Sequence, residues 1–143
     1  MPAHMANAGR GVLFGKTAVV CSADIDRIAD IQEALCAEDA TVVATAVEGH
    51  SAARLALDRH PDVIIIDVRL PDGIGGVDVA ALVLPQFETC VLLVGDADSA
   101  LIDRAKRVGI SGFVPDPTIA GAIVDSINTA LSRFRCSVLD QIH

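Results

Sequence analysis

"DVIIIDVRLPDG", residues 62–73, is the stretch that decides the fold. Val63 to Ile66 are consecutive β-formers, Asp67 follows them, and Pro71-Asp72-Gly73 reads as a turn. A short apolar run without polar alternation is a strand buried on both faces, and such strands belong at the centre of a parallel sheet. The stretch therefore delivers one carboxylate, that of Asp67, to the rim of a sheet. Asp67 is either a reactive group or the polar end of a buried strand, and what else reaches that rim decides between them.

Working outward, strands and helices alternate. "TAVVCS" (17–22), "TVVATAV" (41–47), "CVLLVG" (90–95) and "GFVP" (112–115) read as further strands. Helices are predicted at 24–38, 50–60, 77–84, 99–109 and 118–134. Asp24 is a good N-cap for the first, with Ile25, Ile28, Ile31 and Leu35 in a helical stripe. Ser51 stands near the start of the second helix, and Pro61 stops it. Pro85 stops the third, Gly109 ends the fourth, and Pro117 suits the first turn of the fifth. Strict βα alternation means a parallel sheet with helices on both faces. No internal repeat or linker divides the chain. Residues 1–15 are expected to be a loose N-terminal segment, 16–134 the domain, and 135–143 a tail or the start of a linker.

Composition narrows the functions open to such a domain. The chain has 143 residues, 52% of them hydrophobic, so it has the material for a packed core. It lacks Trp and Tyr, which removes stacking platforms for single-stranded nucleic acid. The formal charge of −8, with no Lys/Arg cluster, argues against direct binding of DNA or an anionic membrane by this domain. No apolar run is long enough to span a bilayer and no signal-peptide core is evident, so a cytoplasmic protein is expected. Cys21, Cys36, Cys90 and Cys136 show neither metal spacing nor a paired pattern, and read as reduced thiols. "GRGVLFG" (9–15) is Gly-rich but precedes a strand, so it is no phosphate cradle.

In doubly wound sheets, sites lie at the carboxyl ends of the strands, at the topological switch point. Asp67, Cys21, Ser22, Gly95, Pro115 and Asp116 all fall at such ends.

The order of elements, "PDVIIIDVRLPDG" and "GISGFVPDP" together resemble the receiver domain of bacterial two-component response regulators. The resemblance runs from Thr17 to about residue 133. It implies a flavodoxin-like doubly wound (βα)5 parallel sheet of order 2-1-3-4-5. It also implies a chemistry. An Asp takes a phosphoryl group from a sensor kinase, two acidic residues after strand 1 hold Mg²⁺ with it, a Ser or Thr after strand 4 and a Lys after strand 5 bind phosphoryl oxygens, and an aromatic residue on strand 5 responds.

Position by position, Asp67 matches the phosphoacceptor. The acidic pair falls on Cys21 and Ser22, neither a carboxylate, with Asp24 or Asp26 as possible substitutes if the turn has shifted. The hydroxyl position falls on Gly95, the aromatic one on Phe113, and the lysine position on Asp116, the opposite charge. Unit charges ~4 Å apart at an effective dielectric of 20 interact by about 4 kcal/mol, so an inward Asp116 would penalise a bound phosphoryl group. The resemblance also implies a cis Asp116–Pro117 bond.

The expectation is therefore an atypical receiver, a signalling and interaction module that is not an enzyme, with Mg²⁺ binding weak or absent. Its partners would be a sensor kinase or other signalling protein, and a second copy of itself through the last two helices, where Val124 and Leu131 broaden the apolar stripe of Ile119, Ile123, Ile127, Ala130 and Phe134. The output would be transcriptional, through an attached or partner domain. Two alternatives stand beside it: a phosphorylatable receiver using Asp67 in a rearranged acidic pocket, and a small-ligand-binding flavodoxin-like module. Arg104, Lys106 and Arg107 read as a solvated helix face.

Overall fold

A computed structural model describes residues 9–115 and 122–132. Five parallel strands form one sheet in the order β2-β1-β3-β4-β5: β1 (Thr17–Cys21), β2 (Thr41–Ala46), β3 (Val63–Asp67), β4 (Cys90–Val94) and β5 (Gly112–Val114). The helices are α1 (Ile25–Ala37), α2 (Gly49–Arg59), α3 (Gly76–Val83), α4 (Ser99–Val108) and α5 (122–132). This is the flavodoxin-like order, with β3 between β1 and β4.

Every residue of β3 and β4 is buried, as their uninterrupted apolar runs require. Strand alternation divides the core into two layers. Val63, Ile65, Leu92 and Val94 pack with Ile28, Ile31 and Leu35 of α1 and Ile123 and Ile127 of α5. Ile64, Ile66, Val91 and Leu93 pack with α2, α3 and α4. The buried face of α2 is Gly49, Ala52, Ala53 and Ala56, so this helix lies close against its neighbours. Its chain leaves through His60 in the left-handed region at φ 47°, with the imidazole stacked on Phe87 at 4.3 Å.

Three expectations are corrected here. The segment up to residue 15 is not loose at its end: Leu13 is buried in the core, its amide donates to the Glu38 carbonyl at 3.0 Å, and Gly11 N–H donates to Asp39. The surplus width of the last helix is spent in the core, since Leu131 is buried and Val124 packs against the α1 layer. Arg104 is not simply solvated, because its guanidinium donates to Asp78 and ties α4 to α3. Among the apolar residues of α3, Val77, Val79, Ala80 and Val83 are buried and Leu82 is exposed. Ile119, Phe134, Asp116 and the Asp116–Pro117 bond lie outside the described residues.

Candidate functional site

Asp67 is the last residue of β3, and alternation puts it on the same face as Val63 and Ile65, toward α1. The loop from β1 into α1 meets it there. Ser22 Oγ donates to Asp67 Oδ2 at 2.7 Å, and the Ala23 amide donates to the same oxygen at 3.2 Å. Arg27 Nη1 donates to Asp67 Oδ1 at 3.1 Å. The Ser22 hydroxyl in turn accepts the Asp24 amide at 3.0 Å. One hydroxyl, one amide and one guanidinium thus converge on a carboxylate whose side chain is only 8% exposed, while that of Arg27 is 32% exposed.

Arg27 is the partner of Asp67 that the sequence reading missed. It lies in the first turn of α1, one residue before the inward-facing Ile28, so strand parity and the helix stripe together place it near Asp67. Asp24 and Asp26 do not join the carboxylate. Asp24 Oδ1 accepts the amides of Asp26 at 2.9 Å and Arg27 at 3.3 Å, capping its own helix, and Asp26 is exposed. Cys21 is buried, with its thiol 3.6 Å from the Glu48 carbonyl oxygen. Burial, aided by the negative charges of Asp67, Asp72 and Glu48, pushes that thiol up to about 12, so it stays protonated and unreactive near neutrality.

A cleft of about 330 Å³ opens beside Asp67, lined by Arg27, Val68, Arg69, Val94, Gly95, Asp96 and Pro115. Gly95 adopts φ +113°, in the left-handed region, so the β4–α4 turn is built on glycine and a Ser or Thr there would be strained. Phe113 is half-buried and packs with the α2–α3–α4 layer. Asp72, in the turn after β3, reaches across to α2: its carboxylate accepts the amides of Gly49 at 3.0 Å and His50 at 2.9 Å and lies 2.7 Å from His50 Nδ1. It therefore ties the Asp67 turn to the positive end of α2.

The His50 amide, followed by the Gly49 amide and the imidazole, holds the Asp72 carboxyl well below the usual carboxylate range. Its contribution to stability is complete above the unfolded value of about 3.9 and is lost as the pH falls below it. Asp72→Asn should melt below wild type near neutrality, and the gap should narrow on acidification. Thermal melts at neutral and acidic pH check this; a gap that widens in acid would contradict the assignment.

The family chemistry described above calls for a divalent cation, and the donors present do not fit one. Mg²⁺ demands an octahedron of hard oxygens. Here the two positions beside Asp67 carry a thiol and a hydroxyl, and the carboxylate is engaged by a guanidinium. Among the described residues, no three metal-ligating side chains come together.

A family model described as the response regulator receiver domain matches residues 19–128. The chain belongs to the response regulator receiver family. Curated relatives of this receiver include the transcriptional regulatory protein PdtaR of Mycobacterium tuberculosis, 30% identical over 107 residues, 74% of this chain and 52% of that one. Another is LnrK of Bacillus subtilis, also named a transcriptional regulatory protein, 33% identical over 97 residues, 66% of this chain and 44% of that one. The chain thus spans about half the length of the curated relatives it matches. Among solved structures, the receiver domain of the putative response regulator NarL from M. tuberculosis superposes with a TM-score of 0.77 at 27% identity, covering 83% of this chain and 98% of that one. The response regulator domain of Thermotoga maritima CheB shares the receiver fold, with a TM-score of 0.74 at 21% identity over 82% of this chain and 96% of that one. No helix among the described residues is long and apolar enough to cross a membrane.

Proposed function

We propose that this receiver is atypical: it transmits signals as a protein-interaction module, without the usual Mg²⁺-dependent phosphorylation of Asp67, and is not an enzyme. The observation that carries the reading is that the Asp67 carboxylate is already engaged by Ser22, Ala23 and Arg27. A phosphoryl acceptor needs a free carboxylate oxygen and a cation beside it to neutralise the incoming oxygens. In this site the cation is bonded to the nucleophile itself, and Gly95 brings no hydroxyl to a phosphoryl oxygen. The names of the relatives support a transcriptional output, carried by an attached or partner domain.

The partners we propose are a sensor kinase or another signalling protein, and a second copy of the chain through α4, β5 and α5. A groove of about 590 Å³ on that face is bordered by both Lys106 and Asp125, opposite charges of the kind a two-fold contact pairs across its axis. Sedimentation checks the dimer: Asp125→Lys should be monomeric at a concentration where wild type is dimeric, and a wild-type monomer contradicts it. Acetyl phosphate with Mg²⁺, followed by intact mass, tests the main reading. The expected product is the unmodified chain; a phosphoryl adduct abolished by Asp67→Asn would establish a phosphorylatable receiver instead.

A further inference from the structure

We propose that Arg27 determines which cation the site accepts: its guanidinium is the resident counter-ion of Asp67 and keeps a divalent metal out. This deepens the reading above and rests on it. The ion pair joins residues 40 positions apart in the chain, so it is set by the fold and not by local geometry. Both ends are held. Asp67 is fixed by β3 pairing and by Ser22 and Ala23, while the Arg27 backbone is fixed in the first turn of α1, where its amide donates to Asp24. The guanidinium is about two-thirds covered, and it faces a carboxylate that is nearly closed to water. A metal on Asp67 would sit about 2 Å from a carboxylate oxygen. Arg27 Nη1 already lies 3.1 Å from Oδ1, so the two cations would stand within about 5 Å of each other and repel. The exposed Arg69 lines the same cleft and adds a second positive charge beside that of Arg27, against the single further carboxylate of Asp96. The site thus reaches charge balance with a group that cannot dissociate, and the β1–α1 loop is closed onto β3 without any ion from solution.

Charge reversal tests this. Glutamate is favoured in the first turn of a helix, so Arg27→Glu leaves α1 intact and directs the change at Asp67. It would set two carboxylates against each other, the beginning of a metal site. In metal-free buffer Arg27→Glu should melt below wild type, and millimolar Mg²⁺ should recover much of the loss. The same Mg²⁺ should leave wild type unmoved, and the recovery should vanish in Arg27→Glu/Asp67→Asn. Stabilisation of wild type by Mg²⁺ to the same extent, or an Arg27→Glu that ignores Mg²⁺, overturns the proposal. Should Arg27→Glu fail to fold, Arg27→Gln decides: with the guanidinium gone, millimolar Mg²⁺ should raise its melting temperature while leaving wild type unmoved, and an Arg27→Gln melt that ignores Mg²⁺ overturns the proposal. Phosphoryl labelling of wild-type Asp67 with no Mg²⁺ effect on melting would sink the interaction-module reading and leave the Arg27 assignment standing.

Discussion

Asp67→Ala should destabilise this receiver by about 3 kcal/mol, the lower end of what is lost when one partner of a buried ion pair is removed, since the Arg27 side chain keeps some solvent. The truncation leaves the Ser22 hydroxyl and the Ala23 amide without their acceptor as well. Asp67→Asn should cost less, about 1 kcal/mol, because one amide oxygen still accepts from the loop while the charge attraction is lost. A reactive carboxylate held away from partners behaves in the opposite way, gaining stability when it is neutralised. Urea unfolding of the three proteins distinguishes the two cases. Equal stability of Asp67→Ala and wild type would mean that the hydrogen bonds to Asp67 contribute nothing.

Gly76→Val should also cost about 3 kcal/mol, the upper range for overpacking a closed core. Gly76 is the first residue of α3 and lies against the end of β3. A Cβ there would stand 2.4 Å from Leu93 Cδ2, 2.8 Å from the Asp67 carbonyl oxygen and 3.0 Å from Ile66 Cγ2. The leucine methyl can turn aside, but the carbonyl oxygen belongs to the strand that carries Asp67. A useful comparison is Gly73→Ala in the same turn. Gly73 has φ +80° and open space around it, so the alanine meets only the backbone penalty of about 1 kcal/mol. Melting both variants separates crowding from conformation, and equal losses would contradict the close approach of α3 to β3.

The fold was legible because its signals are continuous. The unbroken apolar runs of β3 and β4 exclude any edge position, and βα alternation leaves few topologies for them. Asp67 was legible for the same reason, as the last residue of the most buried strand. Arg27 was not, because the aim of a guanidinium depends on where the first turn of α1 lands beside a strand 40 residues further on. The clues existed separately: Asp67 shares the face of Ile65, and Arg27 precedes the inward Ile28. The stripe of the last helix was legible as apolar, but not how much of it the core takes up: Leu131 and Val124 both pack into the α1 layer. Arg104 was read as solvated since its partner, Asp78, lies on a different helix. Ionic pairs between elements, such as Arg27–Asp67 and Arg104–Asp78, leave no periodic trace in a sequence.

Closure of the Asp67 site by Arg27 and the β1–α1 loop is tested most directly by an ¹⁵N–¹H NMR titration of the wild-type receiver with Mg²⁺. The Ala23 amide and the Arg27 guanidinium report on either side of the carboxylate. Both resonances should stay in place through millimolar Mg²⁺, with the guanidinium protons slow to exchange. Saturable shifts of Ala23 that disappear in Asp67→Asn, with release of the Arg27 side chain, would show that a metal displaces the guanidinium and would contradict a site closed by Arg27.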